Sequence, residues 1–511
     1  MRFTSKGEGR RDVGIVGEEI AQVLPQDGKP WWKTWHLLRL NAVIFVVILC
    51  SATNGYDGSM MNALQISPAW KEYYDNPQSA RLGTINAMFV VGKILGMIFV
   101  APFSNRFGRK LPLILAMVIC VAGAGIQAGA VNFGMLVFSR CLLGFGSSLM
   151  MLPGPIIIAE MAYPTHRGKL TAMFNVFYYY GAILAAWSTF GTLKLDGDWG
   201  WRIPTLLQGA TPALQLLFVW FVPESPRFLI AKGRIQEARD ILVYHHAGGD
   251  QASPLVEVEM KQIQLNLRQE AESEGVAWSR VLRSPANRKR LLISAITGIA
   301  SQWAGNAVIS YYLTLALDKV GITDATQQAA INGGLQVFNL LAALGFGSLL
   351  VDRLGRRVLF LWSAVGMTCS YTALTIVNSR FAATQSKSLG YAFIPMIFLF
   401  YFHYNIAMTP FLYSYPPEIW PYHLRTWGTA FTLVIAYASL IIGLFANPVA
   451  LRNLDWRYYI VFCVINAVFV VLVYFFFPET KGKTLEEIAE IFEGPIHGPS
   501  QLTTQEEDNP I

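Results

Sequence analysis

The chain has 511 residues, of which 53% are hydrophobic and 14% charged, against about 25% charged in an ordinary soluble domain. That deficit excludes a soluble enzyme of this size. With a mean hydropathy of +0.38 and 13% aromatic residues, it describes a chain whose solvent is largely lipid.

The net charge of +7 carries no expectation of a nucleic-acid partner, because Lys and Arg excess in a membrane protein lies on cytoplasmic loops for topological reasons. Cys50, Cys120, Cys141, Cys369 and Cys463 fall inside apolar runs without a CxxC pair and read as small core residues, not disulfides or metal ligands. No Walker loop, GxSxG elbow, HExxH or glycosylation sequon occurs, so neither an enzyme nor a metal or cofactor site is expected.

In chain order, residues 1–38 form a polar, basic tail with Arg2, Lys6, Arg10, Arg11, Lys29 and Lys33 but no cleavable-signal core, so the first span acts as its own insertion signal. Apolar runs long enough for about 30 Å of hydrocarbon follow near 40–58, 84–103, 111–130, 134–157, 170–190 and 204–222. Six more lie near 291–315, 330–351, 358–377, 393–415, 428–448 and 458–477. The expected fold is an all-α membrane protein of twelve spans in two bundles, 39–222 and 291–477. Between them lies a linker, 223–290, whose segment 230–246 reads as amphipathic helices on the membrane surface, and 478–511 is a second tail. Arg106, Arg109 and Lys110 after span 2, Arg167 and Lys169 after span 4, and Arg353, Arg356 and Arg357 after span 8 place both tails in the cytoplasm.

The two halves repeat. SNRFGRK (104–110) is echoed by VDRLGRR (351–357), Glu160 and Arg167 by Glu418 and Arg425, Trp201-Arg202 by Trp456-Arg457, and PESPR (223–227) by PETKG (478–482). Two homologous six-helix bundles around a central pathway follow.

Inside the spans, the only Asp, Lys, Arg or His residues are Asp57, Lys93, Arg140 and His403. A charge at a helix centre costs about 2.5–3.5 kcal/mol on insertion scales and needs a partner or a wet cavity. Asp57 closes span 1 in NGYDGS, where it is either an interfacial acid or a functional one. Arg140, in SRCLLGFG of span 4, sits beside small residues that permit tight packing and can meet Asp57. An Asp beside a cationic Arg stays ionised, and separating the two invites a proton, which makes the pair a proton-coupling switch. Lys93, between Gly92 and Gly96, has two open readings: a stem along a neighbouring helix with a snorkelling amine, or a substrate or counter-ion group. His403 reads as a hydrogen-bonded interior histidine or a ligand.

NGYDGS, RFGRK, RCLLGFG, PIIIAE with RG seven residues after its Glu, WRIP, PESPR, DRLGRR, PPEIWP with Arg425, and PETKGKTLEE resemble, in order and over about residues 40–493, the sugar porter branch of the major facilitator superfamily. SQWAGNAVISYYL (301–313) and SYPPEIWPYHLR (414–425) look most like its fungal lactose-permease and cellodextrin-transporter group. The resemblance implies alternating access, with a sugar held midway between the halves and protons as co-substrate. Asp57 falls at the family's proton site and Arg140 at its usual partner.

The sugar-contacting positions become Asn175, Ser301, Gln302, Asn306, Asn339, Tyr413 and Tyr437, with Tyr311 and Tyr312 as outer-gate tyrosines. Several depart from the family pattern: Asn175 and Ser301 replace Gln, and Tyr413 replaces Trp. Shorter amides suit something bulkier than a monosaccharide. A cytoplasmic gate is implied for Arg106, Arg109, Glu160, Arg167, Glu224 and Arg227 and for Asp352, Arg353, Arg356, Glu418, Arg425 and Glu479, with the first set weakened because Ala101 and Asn105 replace the motif's Gly and Asp. The expectation is a monomeric, multi-pass plasma-membrane importer of a disaccharide or hexose, whose partners are the solute, protons and the lipid bilayer. A polyol, quinate-like acid or secondary metabolite is the alternative solute, and a non-transporting nutrient receptor the more distant alternative.

Overall fold

Hydropathy marks only the apolar middle of the longest helices, so several of them outrun the runs that announce them. The first, α1, covers Trp35–Leu64, about 45 Å at 1.5 Å per residue. Asp57 therefore does not close its helix, as NGYDGS suggests, but sits two turns inside it and is fully buried. The interfacial reading of Asp57 fails for the same reason.

The computed structural model describes residues 18–24, 31–78, 80–273, 283–347, 354–421, 424–481 and 485–493. After α1 come α2 (Ala80–Phe107), α3 (Lys110–Ala128), α4 (Phe133–Met161) and α5 (Arg167–Thr192). The sixth, α6, is a broken pass made of Trp199–Leu207 and Ala210–Phe218. The second half holds α7 (Pro285–Lys319), α8 (Ala325–Ala342), α9 (Arg356–Thr384) and α10 (Lys387–Ile419), then α11 (Arg425–Leu454) and α12 (Tyr458–Phe476). Prolines inside α2, α6, α10 and α11 remove backbone donors, which a membrane helix tolerates where neighbouring helices satisfy the freed groups.

The packing repeats with the sequence. In the first half α1 packs on α5, α2 on α4 and α3 on α6; in the second α7 packs on α11, α8 on α10 and α9 on α12. The halves meet where α2 lies against α11 and α5 against α8, with α1 touching α7. Glycines set the closest approach. A Cβ on Gly144 of α4 would lie 1.9 Å from the Phe89 carbonyl of α2, and one on Gly92 would lie 2.0 Å from the Cys141 carbonyl. Small residues let these two backbones touch, and that contact fixes Phe89, Lys93 and Arg140 side by side.

The linker folds as Pro226–Ala231, Ile235–His246 and Pro254–Ser273. Its apolar residues Phe228, Leu242, Val243, Val256 and Met260 turn to one another, and the helices dock on the end of the first half. His246 is the docking point, with Nδ1 2.8 Å from Glu259 Oε2 and Nε2 3.1 Å from the Met161 carbonyl.

Beside it, burial above all, then His246 and Arg39, holds His245 down to about 4. A folded-state value below the ordinary 6.5 means that the stability gained by burying neutral His245 is complete above about pH 6.5 and is lost as pH falls toward 4. Amide-exchange protection of Ile235–His246, corrected for intrinsic rates, is expected to fall over that window, and His245→Gln to flatten the fall. Protection that is equally pH-dependent in the variant would remove His245 as the cause.

Candidate functional site

A polar cavity lies between the halves, and its end farthest from the linker is closed by backbone chemistry. Within α7, Tyr312 leaves helical geometry (φ −139°, ψ 28°), which turns Leu313 N–H and the Tyr311 carbonyl toward α1. There Asn62 Oδ1 accepts from Leu313 N at 3.1 Å and Gln65 Nε2 donates to Tyr311 O at 2.8 Å. Asn62 Nδ2 also donates to Asn332 Oδ1 of α8 at 3.3 Å. Two amides of the first half thus satisfy backbone groups that an irregular helix in the second half leaves over.

A second break shapes the wall. Gly305 takes φ +103°, a conformation that L side chains rarely adopt, and Tyr371 Oη donates to its carbonyl at 2.8 Å. The turn aims Gln302 and Asn306 at the cavity. Of the sequence-predicted substrate residues, Asn175, Gln302, Asn306, Tyr311, Asn339, Tyr413, Tyr437 and Lys93 line it.

Three others do not. Ser301 is fully buried, its hydroxyl donating to Gly298 O at 2.8 Å. Tyr312 is buried and donates to Leu444 O of α11 at 2.6 Å. His403 faces a groove between α9 and α10, packed on Gly366 and bonded to the Leu399 carbonyl of its own helix at 2.8 Å. A ligand role for His403 in the central cavity is thereby removed.

Sequence reasoning missed a phenol cluster. Ser310 Oγ lies 2.6 Å from Tyr401 Oη, which donates to Asn306 Oδ1 at 3.0 Å, while Asn306 Nδ2 donates to Tyr404 Oη at 3.3 Å. From the first half, Tyr179 Oη donates to Asn405 Oδ1 at 2.5 Å, and Asn405 Nδ2 donates to Asn339 Oδ1 at 2.9 Å, which ties α5 to α10 and α8. The signal was present in the YYY run at 178–180 and in Tyr401 and Tyr404, four phenol-bearing cavity positions (178, 179, 401, 404) inside otherwise apolar spans.

Behind the first-half wall, Asp57 and Arg140 are both fully buried, and no side-chain atom of either has a hydrogen-bond partner among the described residues. Arg140 and Lys93 are the two cations whose fields reach Asp57. Both lie over Phe89, each 4.6 Å from its ring centroid.

At the linker face the two charge sets repeat. Glu224 accepts from the backbone N–H of Arg109 at 2.9 Å and Lys110 at 3.3 Å; Glu479 accepts from Arg356 at 2.9 Å and Arg357 at 3.0 Å. A carboxylate thus sits on the positive N-terminus of α3 and of α9. The sets differ in strength. Arg356 grips Glu418 in a forked contact at 3.0–3.2 Å, whereas Arg109 stands 4.0 Å from Glu160 and spends donors on Ser104 O and Asn105 Oδ1. Glu160 accepts instead from Ser225 Oγ, and Arg227 adds its field there. Arg106 and Arg167 are exposed; Asp352, Arg353 and the side chain of Arg425 lie outside the described residues.

Two pseudo-symmetric bundles around a polar chamber closed at one end define a multi-pass membrane transporter of the major facilitator fold. Residues 43–492 match the family described as "Sugar (and other) transporter", and the chain belongs to this sugar porter family. It is 29% identical over 504 residues to the MFS-type transporter oryC of Aspergillus oryzae, covering 95% of this chain and 91% of that protein. It is 27% identical over 490 residues to the high-affinity glucose transporter of Kluyveromyces lactis, covering 91% and 87%. The partially occluded inward-open xylose transporter XylE from E. coli superposes with a TM-score of 0.72 at 22% identity, over 88% of this chain and all of that one, a likeness of fold.

Proposed function

We propose that this transporter is a proton-coupled sugar importer, taking a disaccharide or hexose by alternating access as a monomer in the plasma membrane with both termini cytoplasmic. The observation that carries the reading is the cavity wall, where Gln302, Asn306, Asn339 and Asn175 offer amides and Tyr311, Tyr413 and Tyr437 offer rings. Sugars need paired donors and acceptors beside a flat apolar face, because an unpaired polar group in a dry site costs about 1–3 kcal/mol. The similarity to a yeast glucose transporter supports the same solute class.

The buried Asp57, with Arg140 close enough to act on it, is the proton carrier of this reading. One proton falling through about 100 mV releases about 2.3 kcal/mol, enough for about fiftyfold accumulation. The repeated Arg and Glu sets at the linker face, bonded within each half here, latch the opposite state in this reading by meeting across the halves when the far end opens.

Uptake of labelled lactose, cellobiose and glucose in a transporter-null yeast, with and without an uncoupler, tests this. The expected result is uncoupler-sensitive accumulation of at least one. No uptake of any sugar overturns the solute class, and uptake indifferent to the uncoupler overturns the coupling.

A further inference from the structure

Lys93 occupies a place that neither sugar binding nor proton coupling requires. It stands in the middle of α2, between glycines packed against the α4 backbone, and lines the cavity, so its amine does not snorkel to an interface. An intramembrane cation is costly without a partner. Its one hydrogen bond among the described residues is to a neutral group, Asn54 Oδ1 at 2.6 Å, which Ser147 Oγ also donates to at 3.0 Å. Among the described residues no carboxylate comes within ion-pair distance of it.

The local charge does not balance. Asp57 can offset one cation, yet Arg140 and Lys93 both flank Phe89, leaving one positive charge over when Asp57 is ionised and two when it is protonated. An ammonium has three donors; Asn54 takes one, and Lys93 presents to a cavity whose other polar walls are neutral amides and hydroxyls.

We propose that Lys93, set by Asn54 and Ser147, forms an anion subsite, and that the preferred solute is a polyhydroxylated molecule carrying a carboxylate, such as an aldonic or uronic acid. The hydroxyls meet the amides of the second half while the carboxylate meets the ammonium of the first, so the solute bridges the halves and its charge offsets the surplus. This deepens the sugar-transporter reading, replacing its neutral sugar by a sugar acid, and rests on that reading's amide-lined cavity for polyhydroxylated solutes.

The test is ligand-induced thermal stabilisation of the purified full-length protein by gluconate, galacturonate and quinate against glucose, lactose and cellobiose, paired with competition for uptake. The wild type is expected to bind at least one acid more tightly than any neutral probe. Lys93→Gln should shift the acid-to-neutral affinity ratio by about 10- to 100-fold, the size of one charge-assisted hydrogen bond, and Lys93→Arg should restore part of it. If Lys93→Gln fails to fold, Asn54→Ala, which frees the amine without removing it, should still move the ratio. Binding of neutral sugars with no acid bound overturns the subsite alone, as does an acid bound equally by wild type and Lys93→Gln. Binding of no probe from either group overturns the sugar-transporter reading and the subsite with it.

Discussion

Asp57→Asn is expected to abolish accumulation while sugar exchange continues. The carboxylate is fully buried, and the amide has the same shape, so the helix packing around α1 is kept; what is lost is the group that takes up and releases a proton. A gradient of up to about fiftyfold, the limit set by one proton and about 100 mV, should collapse to about one, whereas counterflow of labelled sugar between equal concentrations should stay within about tenfold of wild type. The split between the two readouts is the informative part. A variant that merely misfolds loses both, and a variant whose accumulation persists and remains uncoupler-sensitive would remove Asp57 as the proton carrier. Arg140→Gln is expected to behave differently. It removes one of the two cations near Asp57 and leaves Lys93 alone beside the acid, and exchange as well as accumulation should slow because the Arg140 charge no longer balances the two protonation states.

The intramembrane charges were legible before any coordinates because lipid makes each one conspicuous: four ionisable residues in twelve spans leave few places for coupling to reside. The repeat was legible for a related reason, since Glu224 and Glu479 perform the same task, accepting from the first backbone N–H groups of α3 and α9, and that task keeps the motif recognisable in both halves. Other features leave no such mark. Tyr179, Tyr401 and Tyr404 read as ordinary aromatic residues of apolar runs, because a phenol can bury its ring as any core residue does and only the fold decides whether its hydroxyl finds a partner. His403 and Asp57 show the reverse error. Position along an apolar run does not say which way a side chain faces, so the sequence leaves His403 open as a ligand although it points to the groove between α9 and α10. A hydropathy window ends where polar residues begin, so it sets Asp57 at a helix end that lies seven residues further on.

The closed end offers the second large effect, and it follows from backbone accounting. Leu313 N–H and the Tyr311 carbonyl are served across the halves by Asn62 and Gln65. Leucine in both positions approximates the volume and removes both partners, and each unpaired backbone group then costs about 1–3 kcal/mol. Asn62→Leu with Gln65→Leu is therefore expected to move the equilibrium toward the state open at this end by at least tenfold, at about 1.4 kcal/mol per decade. Spin labels at Lys71 and Gln327, on the two sides of that end, should report longer separations in the double variant, with each single variant intermediate and the two effects non-additive, because the amides serve adjacent groups of one kink. Tyr371→Phe is the control. Its hydroxyl bonds Gly305 of α7 within the second half, so its loss should lower thermal stability by about 0.5–1.5 kcal/mol and leave the label separation unchanged. Equal separations in the double variant and the wild type would mean that closure is carried by side-chain packing alone, and that the kink at Tyr312 is indifferent to the state of the gate.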